Sequence, residues 1–421
     1  FTRIKEEIGL QHSVGEAINS GFHKALSAII DGNVTTIIAA VVLNYLGSGT
    51  VKGFAQTLAL GIILSMLTAL FVTRWLLNAF YTLGADKPGM YGSKPPVEKP
   101  MHFVKRSKFC YCLSLAVIIV GFAAMVMSKV NTGDTLNYGL DFKGGTSTNV
   151  TFNEDMSLDQ LSAEVAPVIT EATGDASPQI SKVAGTNEVL IRTMELDVDK
   201  REALNEALSE NFGVDTEKIT AENISGSVSN EMKMDAVKAV IFAGVLMLLY
   251  VWFRFKNIFF ASSAVLALMH DVLVTLTFYA VLRWSVGSTF IACMLTIVGY
   301  SINATIVIFD RIREHLKEGT SEDVSYLVDL SVTETLSRSV FTSLTTFVMV
   351  LCLYILGVSS VREFALPLMV GIVCGAYSSV CITGPLWNLM NSIKAKKDAE
   401  KLAAEKAAAR EAKASGRRKK S

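Results

Sequence analysis

Eight stretches of this chain are too long and too apolar to be ordinary soluble helices. They cover approximately 30–48, 54–78, 109–128, 236–253, 258–282, 287–309, 338–357 and 362–390. Roughly 20 mostly apolar residues suffice to cross the hydrocarbon core of a bilayer. Runs such as Val237–Tyr250 and Phe290–Phe309 are apolar all round, not along one stripe, as a helix buried on every side requires. Composition agrees: 51% of the 421 residues are hydrophobic and 19% are charged, against about 25% charged in a soluble domain. The expected fold class is a multi-spanning α-helical membrane protein with eight spans.

Alternating spans place the basic segments on one side. These are 74–108, the turn with Arg254 and Lys256, the loop 310–337, the tail from Lys394, and the N-terminal Arg3, Lys5 and Lys24. By the positive-inside rule that side is the cytoplasm. The other side receives 47–53, 129–235, 283–288 and 357–361. Segment 129–235 holds 20 acidic against 8 basic residues, a net of −12, so the chain's formal charge of zero is a cancellation between this segment and the rest. No signal peptide is visible. The opening Phe1-Thr-Arg-Ile reads as the end of a helix, so about four spans and an outer domain are expected before it. The six cysteines (Cys110, Cys112, Cys293, Cys352, Cys374, Cys381) lie in or beside spans. They read as packing residues, not as a disulfide framework or a metal site.

An internal repeat organises the spans. Residues 35–78 align without gaps on 345–388, pairing Thr35-Thr36 with Thr345-Thr346, Leu46-Gly47 with Leu356-Gly357, Phe54-Ala55 with Phe364-Ala365, Gly61 with Gly371, and Thr73 with Thr383. Phe1-Thr-Arg3-Ile4 matches Phe309-Asp-Arg311-Ile312. Both copies run in the same direction, a pattern used by transporters whose working site lies at the repeat interface.

Within 129–235 the pattern predicts a strand over Gly139–Phe152 with a turn at Gly144-Gly145, a helix over Leu158–Thr170, and a hairpin of Ile180–Val183 with Glu188–Thr193 around Gly185. A helix over Asp199–Asn211 and a strand over Ile219–Ser229 follow. That β-α-β-β-α-β order predicts an α+β ferredoxin-like domain. Lys143 before Gly144 and Gly145 hints at a phosphate loop, but GxGxxG and GxxxxGK are absent. No cofactor, metal or catalytic residue is expected, and an ion gradient is the expected energy source.

Ionisable groups inside spans are costly and default to function. His270-Asp271 lies midway along its span and reads equally as a functional pair or a structural one. Arg338 opens a Ser/Thr-rich face and reads either as a snorkelling arginine or as a functional charge. Asp31 and Asn33 stand at the matching end of the other repeat. There Asp31 is either a helix N-cap or a carboxylate facing an arginine of the other repeat, released on protonation. Asn303 follows Gly299 and Ser301 and reads as an interface or water-wire residue.

These residues resemble the SecD/SecF family of the bacterial Sec protein translocase, in its fused form. The resemblance is carried by Gly139-Leu-Asp-Phe-Lys-Gly-Gly-Thr146, by Val298-Gly-Tyr-Ser-Ile-Asn303 followed by Ile306–Arg313, and by Arg338 with Thr345-Thr346. Asp31-Gly-Asn33-Val-Thr35-Thr36 with Gly53-Phe54-Ala55 extends it. It covers about residues 1–390. The family implies an RND-like parallel repeat. It implies an auxiliary subunit that promotes late steps of protein export across the inner membrane, driven by the proton motive force, and not an enzyme. Implied partners are the SecYEG channel, SecA, a YidC-type insertase, the unfolded secretory polypeptide and membrane lipid, with no nucleic acid. The large loop would lie in the periplasm and the tail in the cytoplasm. Asp31 and Arg338 match family charges of the membrane part, whereas Ala304 stands where the family usually has an aspartate after the asparagine. The family layout divides the chain into a SecD-like part (1–83), a Pro-rich linker (84–108), a first SecF-like span (109–128), the outer domain (129–235), five further spans (236–390) and a basic tail (391–421). The competing functions are an RND-type exporter of small molecules or lipids, and an assembly factor without proton flux.

Overall fold

The apolar windows become helices that overrun them. In the computed structural model, which describes residues 1–46, 49–93, 97, 99–157, 160–175, 178–182, 186–224, 226–321, 323–357 and 359–418, a short helix α1 (Thr2–Gly9) precedes α2 (Val14–Leu46) and α3 (Gly49–Leu67). A π-helical turn at Thr68–Val72 leads into α4 (Thr73–Thr82), and α5 (Phe103–Thr132) follows the linker. The outer segment holds β1 (Asn137–Tyr138), β2 (Gly145–Thr151), α6 (Ala166–Thr173), β3 (Gln179–Lys182), β4 (Glu188–Thr193), α7 (Val198–Phe212) and β5 (Thr220–Ile224). Then come α8 (Gly226–Phe255), α9 (Ile258–Leu282), β6 (Ser285–Val286), α10 (Ser288–Glu318), α11 (Val324–Leu356), α12 (Ser359–Ser378), a second π turn (Ser379–Thr383) and α13 (Gly384–Arg418). Among the described residues, eight helical runs are long and apolar enough to cross a membrane. Leu158, Val183, Gly185 and linker residues Lys94 to Pro96 lie outside the described residues.

The segment 310–337, expected as a loop, is mostly helix. Nothing breaks α10 until Gly319, whose φ of +64° ends it, and Asp323 caps α11 by accepting from the Ser325 amide at 2.9 Å. The polar residues of this stretch therefore stand on helix faces that extend the spans.

The repeat reappears in three dimensions. α2 and α11 are both 33 residues long and begin at Val14 and Val324. Each copy interrupts its next span with a π turn at an equivalent place. Thr73 Oγ1 donates to the Thr68 carbonyl at 3.1 Å, and its repeat partner Thr383 does the same to Ser378 at 3.0 Å. Both bonds reach back five residues, where a π turn leaves a carbonyl to be satisfied.

The outer domain has an antiparallel sheet in the order β3-β4-β2-β5, the ferredoxin-like arrangement. Burial alternates along β4, as a sheet covered on one face requires. Val150, Leu161, Ile169, Ile191, Leu204 and Leu208 fill the space under the helices at 0% exposure. Two expectations need correction. Gly139–Phe152 is not one strand: β1 pairs in parallel with β6, a helical turn covers Leu140–Lys143, and β2 starts only at Gly145. Gly144 (φ +78°) and Gly145 (φ +127°) supply the reversal, which a residue with a Cβ adopts only with strain. The last strand ends at Ile224, because α8 already begins at Gly226.

A stripe of small residues docks α5. Ser107, Ser114, Gly121 and Ser128 are its buried residues, each seven after the last. That spacing keeps one seam facing a neighbouring helix crossed at a shallow angle, and small residues let backbones approach closely. A Cβ on Gly121 would lie 2.7 Å from Thr277 Cβ and 2.9 Å from its Cα on α9.

α1 is fastened to α2 by buried Glu7, which accepts from Lys24 Nζ at 2.6 Å and meets His12 Nδ1 at 2.9 Å. Burial pushes the Glu7 carboxyl up, but the bonds from Lys24 and His12 outweigh it and leave it below the ordinary range. A carboxyl depressed on folding stabilises the fold above its unfolded value, about 4.3, and stops doing so as pH falls through the folded value. Protection of the Thr2–Gly9 amides in the full-length protein, relative to their intrinsic exchange rates, is therefore expected to fall on acidification below about pH 4.3; Glu7→Gln should show low protection at neutral pH with no such step.

Candidate functional site

α10 runs between α2 of one repeat and α11 of the other. Thr36 Oγ1 on α2 donates to the Gly299 carbonyl at 3.1 Å. Its repeat equivalent on α11, Thr346, accepts from Tyr300 Oη at 3.1 Å. Thr35 and Thr345 stay within their own helices, donating to Gly32 at 2.8 Å and to Phe341 at 2.9 Å, as does Asn33, to Ile29 at 2.7 Å. Gly32 gives Asn303 its room: a Cβ there would stand 2.4 Å from Asn303 Oδ1.

Asp31 sits in the middle of α2, buried to 4% exposure, and is not an N-cap. Arg254 Nε, at the end of α8, donates to its Oδ2 at 2.6 Å, and Tyr250 Oη to its Oδ1 at 2.8 Å. Ser27 adds a third bond at 3.3 Å. The arginine that faces Asp31 from the other repeat is thus Arg254, not Arg338. Arg254 also lies 3.7 Å from Asp310 Oδ1 on α10, so one guanidinium stands between two carboxylates of different helices. A buried ion left without its partner is strongly unfavourable, and this arrangement leaves neither carboxylate without a cation.

Arg338 occupies mid-α11 and is half-buried. Its carbonyl accepts from Thr342 Oγ1 at 2.7 Å, whereas its guanidinium has no hydrogen-bond or ion-pair partner among the described residues. The charges acting on it are Arg3, Glu6 and Asp310. It lines two cavities. One, of about 150 Å³, includes Arg3, Glu6, Asp310, Arg311 and Glu334; the other, of about 60 Å³, includes Tyr300, Asn303 and Ala304. Ala304 faces the guanidinium across that small cavity without a carboxylate to offer it. At the rim, the repeat-related Arg3 and Arg311 both donate to Glu314 Oε2 at 2.7 Å, and Glu334 accepts from Arg311 and His315.

His270 and Asp271 lie elsewhere, on α9, and contact none of these groups. Gly144 and Gly145 lie in the outer domain as a backbone corner. Sequence reading missed Arg254 and Tyr250 as site residues and took Arg254 for a topology charge. Their spacing of four, which puts both on one helix face, was the available signal.

A parallel repeat of membrane helices that buries carboxylates and guanidinium groups where its copies meet is a layout that recurs among membrane transporters. The profile described as protein export membrane protein SecD/SecF, C-terminal, matches residues 1–82 and 204–392. The chain belongs to the SecD/SecF family. It is 35% identical over 389 residues to the protein translocase subunit SecDF of Brucella abortus, covering 92% of this chain and 50% of that one. It is 39% identical over 259 residues to the protein translocase subunit SecF of Sebaldella termitidis, covering 61% of this chain and 83% of that one. The crystal structure of SecDF, a translocon-associated membrane protein from Thermus thermophilus, superposes with a TM-score of 0.80 at 32% identity, covering 93% of this chain and 52% of that one. The chain thus spans about half the length of the SecDF relatives it matches.

Proposed function

We propose that this chain forms the SecF-like half, with the adjoining end of the SecD-like half, of an auxiliary subunit of the Sec translocase that promotes late steps of protein export using the proton motive force. The observation that carries the reading is the set of Asp31, Arg254, Asp310 and Arg338 between the two repeats, in a family whose relatives are named translocase subunits. Protonating Asp31 removes its attraction for Arg254. Arg254 then belongs to Asp310, and α2 is free to shift against α8 and α10. Arg338, uncommitted beside the same cavity, is the charge that such a shift re-partners. Such coupling requires no covalent step, so the chain acts as a transport component and not as an enzyme. The implied partners are the SecYEG channel, SecA, a YidC-type insertase, the extended secretory polypeptide and lipid. In this reading the protein sits in the bacterial inner membrane with the ferredoxin-like domain in the periplasm and the basic tail in the cytoplasm.

The test is completion of secretory-protein translocation in vesicles carrying the full-length protein, with and without a proton gradient. Asp31→Asn and Arg338→Ala are each expected to reduce stimulation to the level seen without a gradient. Stimulation that survives both changes would sink the coupling assignment.

A further inference from the structure

The pair on α9 is built as a separate site. Asp271 is 0% exposed and faces no lysine or arginine among the described residues. One carboxylate oxygen meets His270 Nδ1 at 2.9 Å; the other accepts from Ser301 Oγ on α10 at 2.5 Å and Ser378 Oγ on α12 at 2.8 Å. Ser378 stands where α12 passes into the π turn, and the adjoining Ser379 bonds the Ser301 carbonyl at 3.3 Å and Thr305 Oγ1 at 3.1 Å. π turns concentrate at functional sites, and this one directs two successive hydroxyls inward. On the other side, His270 Nε2 meets Ser114 Oγ on α5 at 2.9 Å; Ser114 donates to Tyr377 Oη at 3.3 Å, and Tyr377 donates to the Cys110 carbonyl at 3.0 Å. The thiol of Cys374 lies near Asp271, and those of Cys110 and Cys381 lie beside Tyr377.

The polarity of this chain depends on one proton. With Tyr377 donating to a carbonyl and Ser114 donating to Tyr377, Ser114 can only accept from His270, so Nε2 must carry hydrogen. Nδ1 and Asp271 then share one further proton, as imidazolium with carboxylate or as imidazole with carboxylic acid. Either way the pair is neutral overall, which a site without another charge requires. If that proton leaves, a net negative charge remains in the protein interior. Both oxygens of Asp271 already have hydrogen-bond partners, and no second carboxylate joins the pair among the described residues, which favours a proton over a metal cation as the ligand.

We propose that His270 and Asp271 form a second, buried proton-binding site, separate from the Asp31 cluster, that exchanges its proton through Ser114 and Tyr377. Its part in coupling rests on the proposed function; its proton does not. Placed at the junction of α5, α9, α10 and α12, it ties the charge state of α9 to the packing of three neighbouring helices.

The measurement is nitrogen-15 NMR of histidine-labelled full-length protein in lipid nanodiscs, with the His270 signal assigned by its loss in His270→Gln. His270 is expected to show hydrogen on Nε2 and a second hydrogen on Nδ1 or shared with Asp271. Asp271→Asn should weaken proton binding at least tenfold, and Asp271→Glu should restore it. Ser114→Ala should slow exchange of the Nε2 hydrogen with water at least tenfold without moving the midpoint. A midpoint unchanged by Asp271→Asn overturns the site, and one displaced by replacing choline chloride with sodium chloride makes it a cation site instead. Exchange unaffected by Ser114→Ala overturns the route. Export insensitive to the gradient, with this titration intact, would remove the proposed function and leave the site. Loss of gradient-driven export in Asp31→Asn, with no titration at His270, would do the reverse.

Discussion

Arg254→Ala is expected to destabilise the membrane part by about 3–5 kcal/mol, the range for removing one partner of a buried ion pair. The side chain it leaves behind, Asp31, is 4% exposed and would keep only the hydroxyls of Tyr250 and Ser27. Asp310, 3.7 Å from the same guanidinium, loses its nearest cation as well. The effect should appear as a lower thermal unfolding midpoint of the full-length protein in lipid. Adding Asp31→Asn should return much of the loss, since an amide needs no counter-charge. A single variant as stable as the parent would show that water reaches Asp31 freely. A double variant no better than the single would show that Arg254 acts by packing. The same pair separates structural and coupling roles, because the double variant should be folded yet unresponsive to a proton gradient.

Gly121→Leu should be as damaging for a different reason. Even a Cβ at this position falls 2.7 Å from the β-carbon and 2.9 Å from the α-carbon of Thr277. Backbone cannot swing aside as a flexible side chain does, so the whole helix must move. Overpacking commonly costs about 1–3 kcal/mol, and contact with backbone puts this substitution at or beyond the top of that range. Separation of α5 from α9 would also pull Ser114 from His270, one heptad along the same seam. A Gly121→Leu protein with unchanged unfolding would mean that the two helices do not meet there.

Much of this architecture was readable before any coordinates. Apolar windows mark spans because hydrocarbon tolerates little else, and the repeat shows in sequence because its matched residues, such as Thr36 and Thr346, grip the same helix. The outer domain was legible in order but not at its ends. The corner at Gly144-Gly145 depends on β6, a strand 140 residues further on that no local pattern announces. The site was legible one residue at a time. Asp31 and Arg338 draw attention as charges in apolar surroundings, whereas the partnership of Asp31 with Arg254 is set by how α2 lies on α8. Arg254 follows an apolar run, where any basic residue serves as a topology signal, and nothing local separates the two uses. His270-Asp271 was visible as an adjacent pair, but Ser114, Ser301 and Ser378 come from three other helices. The stripe Ser107, Ser114, Gly121, Ser128 was readable by its period and is the one local signal that would have led to Ser114.

The small sheet of β1 and β6 carries a mechanical consequence. It contains two residue pairs, Asn137 with Ser285 and Tyr138 with Val286, reinforced by Asn137 Nδ2 to the Arg283 carbonyl at 2.9 Å and by the Gly139 amide to the Val286 carbonyl at 2.9 Å. β6 lies within the five-residue connection, 283–287, between α9 and α10. A pull on the ferredoxin-like domain directed away from the membrane therefore loads this ladder in shear, and through it the hairpin whose two arms hold Asp271 and Ser301. Few bonds lie in that path, so the ladder acts as a stiff tether for small forces and as the first contact to give way under large ones.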